Sequence, residues 1–289
     1  MEQKGYIMIL FEDRAATVLY NILVNIPQNK FLLPLNICPI VPDTFIKAKK
    51  EFIFVDISLD NLCMNQTITM EKLKKDPSID GILFVKTFGV YFNIEPFYKQ
   101  IKEFNKNIFI IDDMCPSIQK FDCDITSSWS DLKLFSSGYS KFIDIGYGGY
   151  GFVDDSFKTI FEDNSQKKEF LEYKNTILET IPKMVQHKKE LNEIYSKNIP
   201  KKYHLGNKYN NWRFSILLEN KQEVLDEIFK IDGLFASSHY PQVDFDYVSN
   251  PIENTNSNMI HSKILNLFND FRYDKEKAYK TIDIINKLI

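Results

Sequence analysis

Two short segments carry residue types able to do chemistry. One is Ile110-Ile111-Asp112-Asp113-Met114-Cys115-Pro116, an apolar run that ends in two carboxylates. The other runs from Phe135 to Gly149 and holds a single lysine, Lys141, between small hydroxylated residues and the glycines Gly146, Gly148 and Gly149. A lysine amine attacks carbonyl carbon once it has lost its proton, and a buried carboxylate can keep a partner protonated. Each segment also has an ordinary reading: a solvated loop lysine, and a turn or helix cap after a strand. The glycines do not form a dinucleotide fingerprint, because the G-x-G-x-x-G spacing is missing and no first βα unit precedes them. The histidines (His187, His204, His239, His261) lack metal-ligand spacing, and the cysteines (Cys38, Cys63, Cys115, Cys123) form no CxxC pair.

The elements that must position these segments alternate. Gly5–Phe11, Lys30–Leu35, Glu51–Ile57, Gly81–Lys86 and Asn107–Asp112 read as strands, the later ones near-continuously apolar, as strands covered on both faces are. Asp13 stands where it could cap a helix whose apolar residues Val18, Leu19, Ile22, Leu23 and Ile26 fall on one face. Ile94–Phe104 is another helical pattern. Leu132–Phe135 and Gly149–Asp154 read as strands around the glycine loop. Repeated βαβ alternation implies a parallel sheet with helices on both faces, and ligands then sit at the carboxyl ends of the strands. From Phe157 to about Asn198 the chain is polar and helical. Beyond Pro200 the pattern turns to α+β: a strand over Asn211–Glu219, a helix over Lys221–Ile231, a strand over Leu234–Tyr240 and a closing helix over Asp274–Ile289.

The 289 residues suffice for one large domain or two modest ones, and the 44% hydrophobic content excludes wholesale disorder. With 36 basic against 39 acidic residues there is no basic field to draw the chain to nucleic acid. The apolar runs are too short or too broken to span a membrane, and the amino terminus does not read as a signal peptide. A cytoplasmic protein with reduced thiols is expected.

In this order, the strand ending Asp112-Asp113 and the pattern Ser136, Lys141, Gly146, Gly148, Gly149, with its lysine 28 residues past Asp113, resemble the DegT/DnrJ/EryC1/StrS sugar aminotransferases. These are fold type I enzymes that use pyridoxal 5′-phosphate (PLP). Looser matches extend the resemblance over Phe31–Ile57, Leu83–Asn93 with Gly89, and Lys263–Leu288. The resemblance implies a three-layer α/β/α large domain of the aspartate aminotransferase type over residues 1–160. A linking helical segment over 161–200 and a small α+β domain over 201–289 would follow. It also implies that an amino acid, glutamate by preference, gives its amine to a nucleotide-linked keto sugar in surface-polysaccharide synthesis, and that the enzyme is a homodimer.

The same resemblance assigns roles. Lys141 is the catalytic lysine that joins the cofactor aldehyde and later moves protons, with an amine pKa lowered by burial and nearby cationic charge. Asp113 holds the proton of the pyridine nitrogen, and Ser136 binds the phosphate. The turn Glu12–Ala16 matches the family's phosphate turn, which gives Arg14 and Ala15 to the cofactor. Departures are visible. Asp13 would repel a phosphate unless it caps the helix. Ile37–Cys38 stands where a ring-stacking aromatic is usual, and Pro116 where Gln or His is usual. In the tail, Arg213 is a candidate for a substrate carboxylate, and His239 and Tyr240 for a sugar or a partner subunit. Two rival readings remain: a PLP-fold protein that has lost catalysis and serves as a binding or regulatory partner, and a plain α/β domain without PLP.

Overall fold

The structure, a computed structural model, describes residues 7–122, 128–206, 208 and 212–289. Its centre is a seven-stranded sheet. In chain order the strands are β1 (Ile7–Glu12), β2 (Lys30–Pro34), β3 (Glu51–Val55), β4 (Gly81–Val85), β5 (Phe109–Asp113), β6 (Leu132–Ser136) and β7 (Gly149–Asp154). Their spatial order is β1-β7-β6-β5-β4-β2-β3. Strands β3, β2, β4, β5 and β6 are mutually parallel, while β7 runs antiparallel to both β6 and β1. The sheet is thus mixed rather than wholly parallel.

Helix α1 (Ala15–Asn25) follows β1, α2 (Ile40–Lys47) follows β2, and α3 (Gln66–Lys75) and α4 (Glu95–Phe104) precede β4 and β5. Strand parity decides which helices each side chain meets, because alternate residues point to opposite faces. Phe31, Leu33, Leu83, Val85, Phe109 and Ile111 pack with Val18, Leu19, Ile22 and Leu23 of α1. Leu32, Ile82, Phe84 and Ile110 pack on the other face with Met70, Leu73, Phe97, Tyr98 and Ile101 of α3 and α4. Both faces are covered, which explains why β4 and β5 are buried at every position.

The chain then forms α5 (Lys168–Asn198), a helix of 31 residues. It begins later than the sequence pattern suggests, because 155–159 forms a 3₁₀ turn instead. A small antiparallel sheet follows, ordered β8 (Phe214–Leu217), β10 (Ile264–Leu267), β9 (Ala236–Ser237). The expected strand over Leu234–Tyr240 shrinks to two residues, since β10 gives it only two pairing positions. Of the expected strand over Asn211–Glu219, Asn211 lies outside the described residues, as do Gly5 and Tyr6 of the first strand. Helices α6 (Lys221–Phe229), α7 (Asn256–Lys263) and α8 (Lys275–Leu288) complete the chain.

Two glycines fix where α1 begins. The Gly148 N–H donates to the Asp13 carbonyl at 2.7 Å. A Cβ on Gly149 would lie 2.0 Å from the Ala15 nitrogen and 2.3 Å from its Cα. Only a glycine lets β7 pass this close to the helix start. Gly149→Ala should therefore cost about 3 kcal/mol, the upper end for overpacking, because backbone cannot rotate away. Gly146→Ala, at φ +82° with open space around it, should cost about 1–2 kcal/mol from the left-handed backbone alone. Urea unfolding of the two variants checks this, and the reverse ranking would refute the close approach.

Candidate functional site

A cavity of about 220 Å³ opens at the carboxyl edge of the large sheet. Nearly every strand that ends there contributes to its wall. Residues Arg14, Ala15 and Ala16 follow β1, and Asn36, Ile37 and Cys38 follow β2. Val85 closes β4, Asp113 and Cys115 come from the end of β5, and Leu134, Ser136, Gly138, Tyr139 and Lys141 from the end of β6 and its loop. Ligands of open α/β sheets bind at this edge, where the strand order reverses. The reversal lies at β2, which pairs with β3 on one side and β4 on the other.

Parity separates the two aspartates. Asp113 continues the Phe109/Ile111 face and reaches the cavity, where its Oδ1 accepts the Cys115 N–H at 2.9 Å. Asp112 continues the Ile110 face, where the Tyr98 hydroxyl of α4 donates to it at 2.9 Å. Burial raises the pKa of Asp112, and neighbouring Lys86 works against that rise.

The opposite end of the cavity is a cradle of donors. Arg14 is the N-cap of α1 but makes no side-chain cap bond, so the first-turn N–H groups of α1 have no side-chain acceptor. The expectation that Asp13 caps this helix fails: the capping position falls one residue later, and Asp13 contributes its carbonyl to Gly148 instead. Asp13 is also absent from the cavity wall. The Gly138 N–H donates to Ser136 Oγ at 3.3 Å. A Cβ on Gly138 would sit 3.6 Å from Ser136 Oγ and 3.8 Å from Arg14 Nη1, so the missing side chain leaves the space between a hydroxyl and a guanidinium. Helix start, hydroxyl and guanidinium together suit a phosphate. On the wall, the buried Asn36 donates to the Leu62 carbonyl, while its Oδ1 has no partner among the described residues.

Lys141 is half-buried on the wall between Asp113 and Tyr240. Burial pushes its pKa down, but Tyr240, Cys115 and Asp113 outweigh burial and leave it above the ordinary lysine value. The sequence expectation of a lowered pKa is corrected here: the groups nearest this amine are acidic, not cationic. Its backbone is pinned through its neighbour. Ser140 sits at φ +64°, a conformation that costs a non-glycine residue on the order of 1 kcal/mol or more unless its surroundings impose it. They do. The Ser140 N–H donates to Asp144 Oδ2 at 2.8 Å, its carbonyl accepts from Trp212 Nε1 at 2.6 Å, and its hydroxyl accepts from Arg213 Nη2.

The tail candidates separate. Tyr240 is buried, lines the cavity and stacks on Trp212 at 5.8 Å with 15° between the rings. It supplies an aromatic group that Ile37 and Cys38, also on the wall, cannot. Arg213 lies off the cavity wall. Its guanidinium bridges the Ser140 and Ser237 hydroxyls and covers the Phe268 ring at 3.8 Å. Burial lowers its pKa to about 10. His239 is exposed, stands edge-on to Trp212 and is also off the wall. Sequence reading missed Asn36, Cys115, Tyr139 and the Ser140 clamp. The first three could have been found from their places just after strand ends.

Solved structures match nearly the whole chain. Helicobacter pylori PseC, an aminotransferase involved in the biosynthesis of pseudoaminic acid, superposes with a TM-score of 0.75 at 16% identity, covering 96% of this chain and 86% of that one. A DegT DnrJ EryC1 StrS aminotransferase from Brucella abortus gives 0.70 at 17%, covering 98% and 86%. DesI, solved in the presence of its TDP-sugar product, gives 0.80 at 12%, covering 96% and 80%. This chain has the fold type I architecture of the PLP-dependent aminotransferases. No protein-family model and no curated protein matches its sequence. Among the described residues no helix is long and apolar enough to cross a membrane, and no group of His, Cys, Asp and Glu could hold a metal ion.

The Ser140 clamp is testable without a ligand. Arg213→Lys keeps the charge but not the planar fork that reaches two hydroxyls at once. It should lose about 1–3 kcal/mol of stability in urea unfolding. Unchanged stability would show that Arg213 does not clamp this loop.

Proposed function

We propose that this protein is a PLP-dependent aminotransferase that moves an amino group from an amino acid, glutamate by preference, to a keto sugar. The observation that carries the reading is convergence. A lysine, an aspartate and a donor cradle arrive from separate strand ends at one cavity, in the fold of known aminotransferases. PLP, when bound, supplies an electron sink that makes the donor's Cα proton acidic. Asp113 would hold the proton on the ring nitrogen, with its Oδ1 already oriented by the Cys115 N–H. Arg14, Ser136 and the start of α1 at Ala15 would bind the phosphate. Lys141 would join the aldehyde carbon through Nζ and, once displaced by the donor amine, carry the Cα proton. Tyr240 stands beside Lys141 on the wall and would limit water there.

The sugar acceptor is supported by PseC and by DesI with its TDP-sugar product. A role in surface-polysaccharide synthesis in the cytoplasm fits that chemistry. We place a two-fold homodimer partner over the cavity mouth. Tyr139 and Ile40 line the cavity yet are 71% and 52% exposed, an apolar rim that a second subunit would cover. The retention of Lys141 and Asp113 on one wall favours an enzyme over a binding partner without catalysis.

Borohydride reduction of the protein with PLP should fix the cofactor on Lys141, read by peptide mapping, and Lys141→Ala should abolish turnover. Labelling elsewhere would sink the assignment. Asp113→Asn should slow Cα deprotonation by roughly a hundredfold, and Asp112→Asn by less than about tenfold, because only Asp113 reaches the cavity. Because the pKa of Lys141 lies above that of an ordinary lysine, the reactive amine is scarce at neutral pH. PLP capture should therefore accelerate about tenfold per pH unit from 7 to 9. A flat profile would show that the amine is already free.

A further inference from the structure

A second cavity, of about 600 Å³, lies back to back with the first. The same two segments divide them. Cys115 and Lys141 face the first cavity, whereas Met114 and Phe142 face the second. Lys86, from the segment after β4, and Lys188, from α5, also line the second. Lys188 is the side chain that joins this wall to the loop of Lys141.

Lys188 is 4% exposed, and lysines are buried this deeply only where the surroundings answer them. They do here. The ammonium donates to the Trp212 carbonyl and to Asn269 Oδ1, both at 2.8 Å, and lies over the Phe142 ring at 5.0 Å. Burial lowers its pKa to about 7, Asp270 opposes that fall, and Arg213 and Arg272 add to it. Asn269 is fixed in turn, its Nδ2 donating to Asn192 Oδ1 of α5 at 3.0 Å. These contacts bracket Lys141. Phe142 follows it in the chain. Trp212 holds the residue before it, through the 2.6 Å bond from its indole N–H to the Ser140 carbonyl. The Trp212 ring also stacks on Tyr240, which shares the wall of the first cavity with Lys141. One ammonium thus braces both chain neighbours of Lys141, yet Lys188 itself is absent from the wall of the first cavity.

We propose that Lys188 is a positioning residue for Lys141, acting through Trp212 and Phe142 to aim the amine at the first cavity. An apolar side chain could fill the same space but could not hold a carbonyl and an amide oxygen at once. An arginine, with its fork of donors and its permanent charge, could. The purpose of that aim rests on the aminotransferase reading, whereas the aim itself is read without the cofactor.

Two aldehydes of different size test it. Formaldehyde with cyanoborohydride methylates an amine it can reach and needs no fixed orientation. PLP held in the first cavity needs an amine that points at it. In the full chain without PLP, Lys188→Met frees the loop, so formaldehyde should methylate Lys141 about fivefold faster, read by peptide mapping. Lys221, buried at the start of α6, is the reference and should keep its rate. At saturating PLP the same variant should capture the cofactor about fivefold more slowly by visible absorbance, with the half-saturating concentration unchanged. Lys188→Arg should return both rates to those of the unmodified chain. If Lys188→Met does not fold, Lys188→Gln, shorter and uncharged, takes its place with the same expectation. Unchanged methylation of Lys141, or a rise at Lys221 alongside it, would overturn the proposal. So would a higher half-saturating PLP concentration at an unchanged maximal rate, which would make Lys188 a contact of the cofactor. Capture of no PLP by the unmodified chain would count against the aminotransferase reading alone, and methylation then decides whether Lys188 aims Lys141.

Discussion

The contact on which the site depends is between backbones. Gly148 and Gly149 run against Asp13, Arg14 and Ala15, closer than any side chain would permit. That approach joins the start of α1 to the segment entering β7. Because β7 pairs with β6, it also brings the start of α1 to the cavity wall that Ser136 and Gly138 share. The glycines are therefore structural in what they touch and functional in what they position. Tyr173 of α5 closes the same junction from behind. Its hydroxyl shares a hydrogen bond with Ser137 at 2.7 Å, and its ring fills the space a Cβ on Gly148 would need.

Strand parity supplies the second constraint. Strand β5 is buried on both faces, so consecutive aspartates at its end must enter different environments. Asp113 emerges at a cavity, where a carboxylate can meet a ligand. Asp112 enters the packing of α4 and is answered by Tyr98. Strand β4 obeys the same rule. Lys86 follows Ile82 and Phe84 in parity, which places it on the Asp112 side and away from Lys141. The two cavities thus follow from one alternation read along neighbouring strands.

Much of this was legible in the sequence. Apolar runs gave β2, β4 and β5 nearly to the residue, and the family resemblance singled out Asp113 and Lys141, which line one cavity. Local signals end where distant contacts decide. Local capping preference favours Asp13 over Arg14, but the start of α1 is set by the close approach of Gly149, far along the chain. The pKa direction of Lys141 was misread for the same reason: its neighbours Asp113 and Cys115, at the end of β5, and Tyr240, in the tail, come from two other places in the sequence. Arg213 looked like a ligand for substrate because it lies near a segment that faces the active site in the family this sequence resembles. Its actual partners, Ser140 and Ser237, are serines, which carry no sequence signal of pairing.

The lysine's own geometry belongs to the last third of the chain. Ser140 pays for its left-handed backbone only while Trp212 and Arg213 hold its carbonyl and hydroxyl, across separations of 72 and 73 residues. Asp144, which holds the Ser140 N–H, is itself drawn at 3.6 Å to Arg272, and Arg272 is paired with Asp270 beside the end of β10. Without the Trp212 and Arg213 contacts, Ser140 keeps within residues 135–149 only its N–H bond to Asp144. The large sheet can place Asp113 and Ser136 by itself, since both sit on its own strands. Lys141 cannot be placed that way. Its loop is held by contacts from Trp212 and Arg213, so the Lys141 amine is oriented by the last third of the chain.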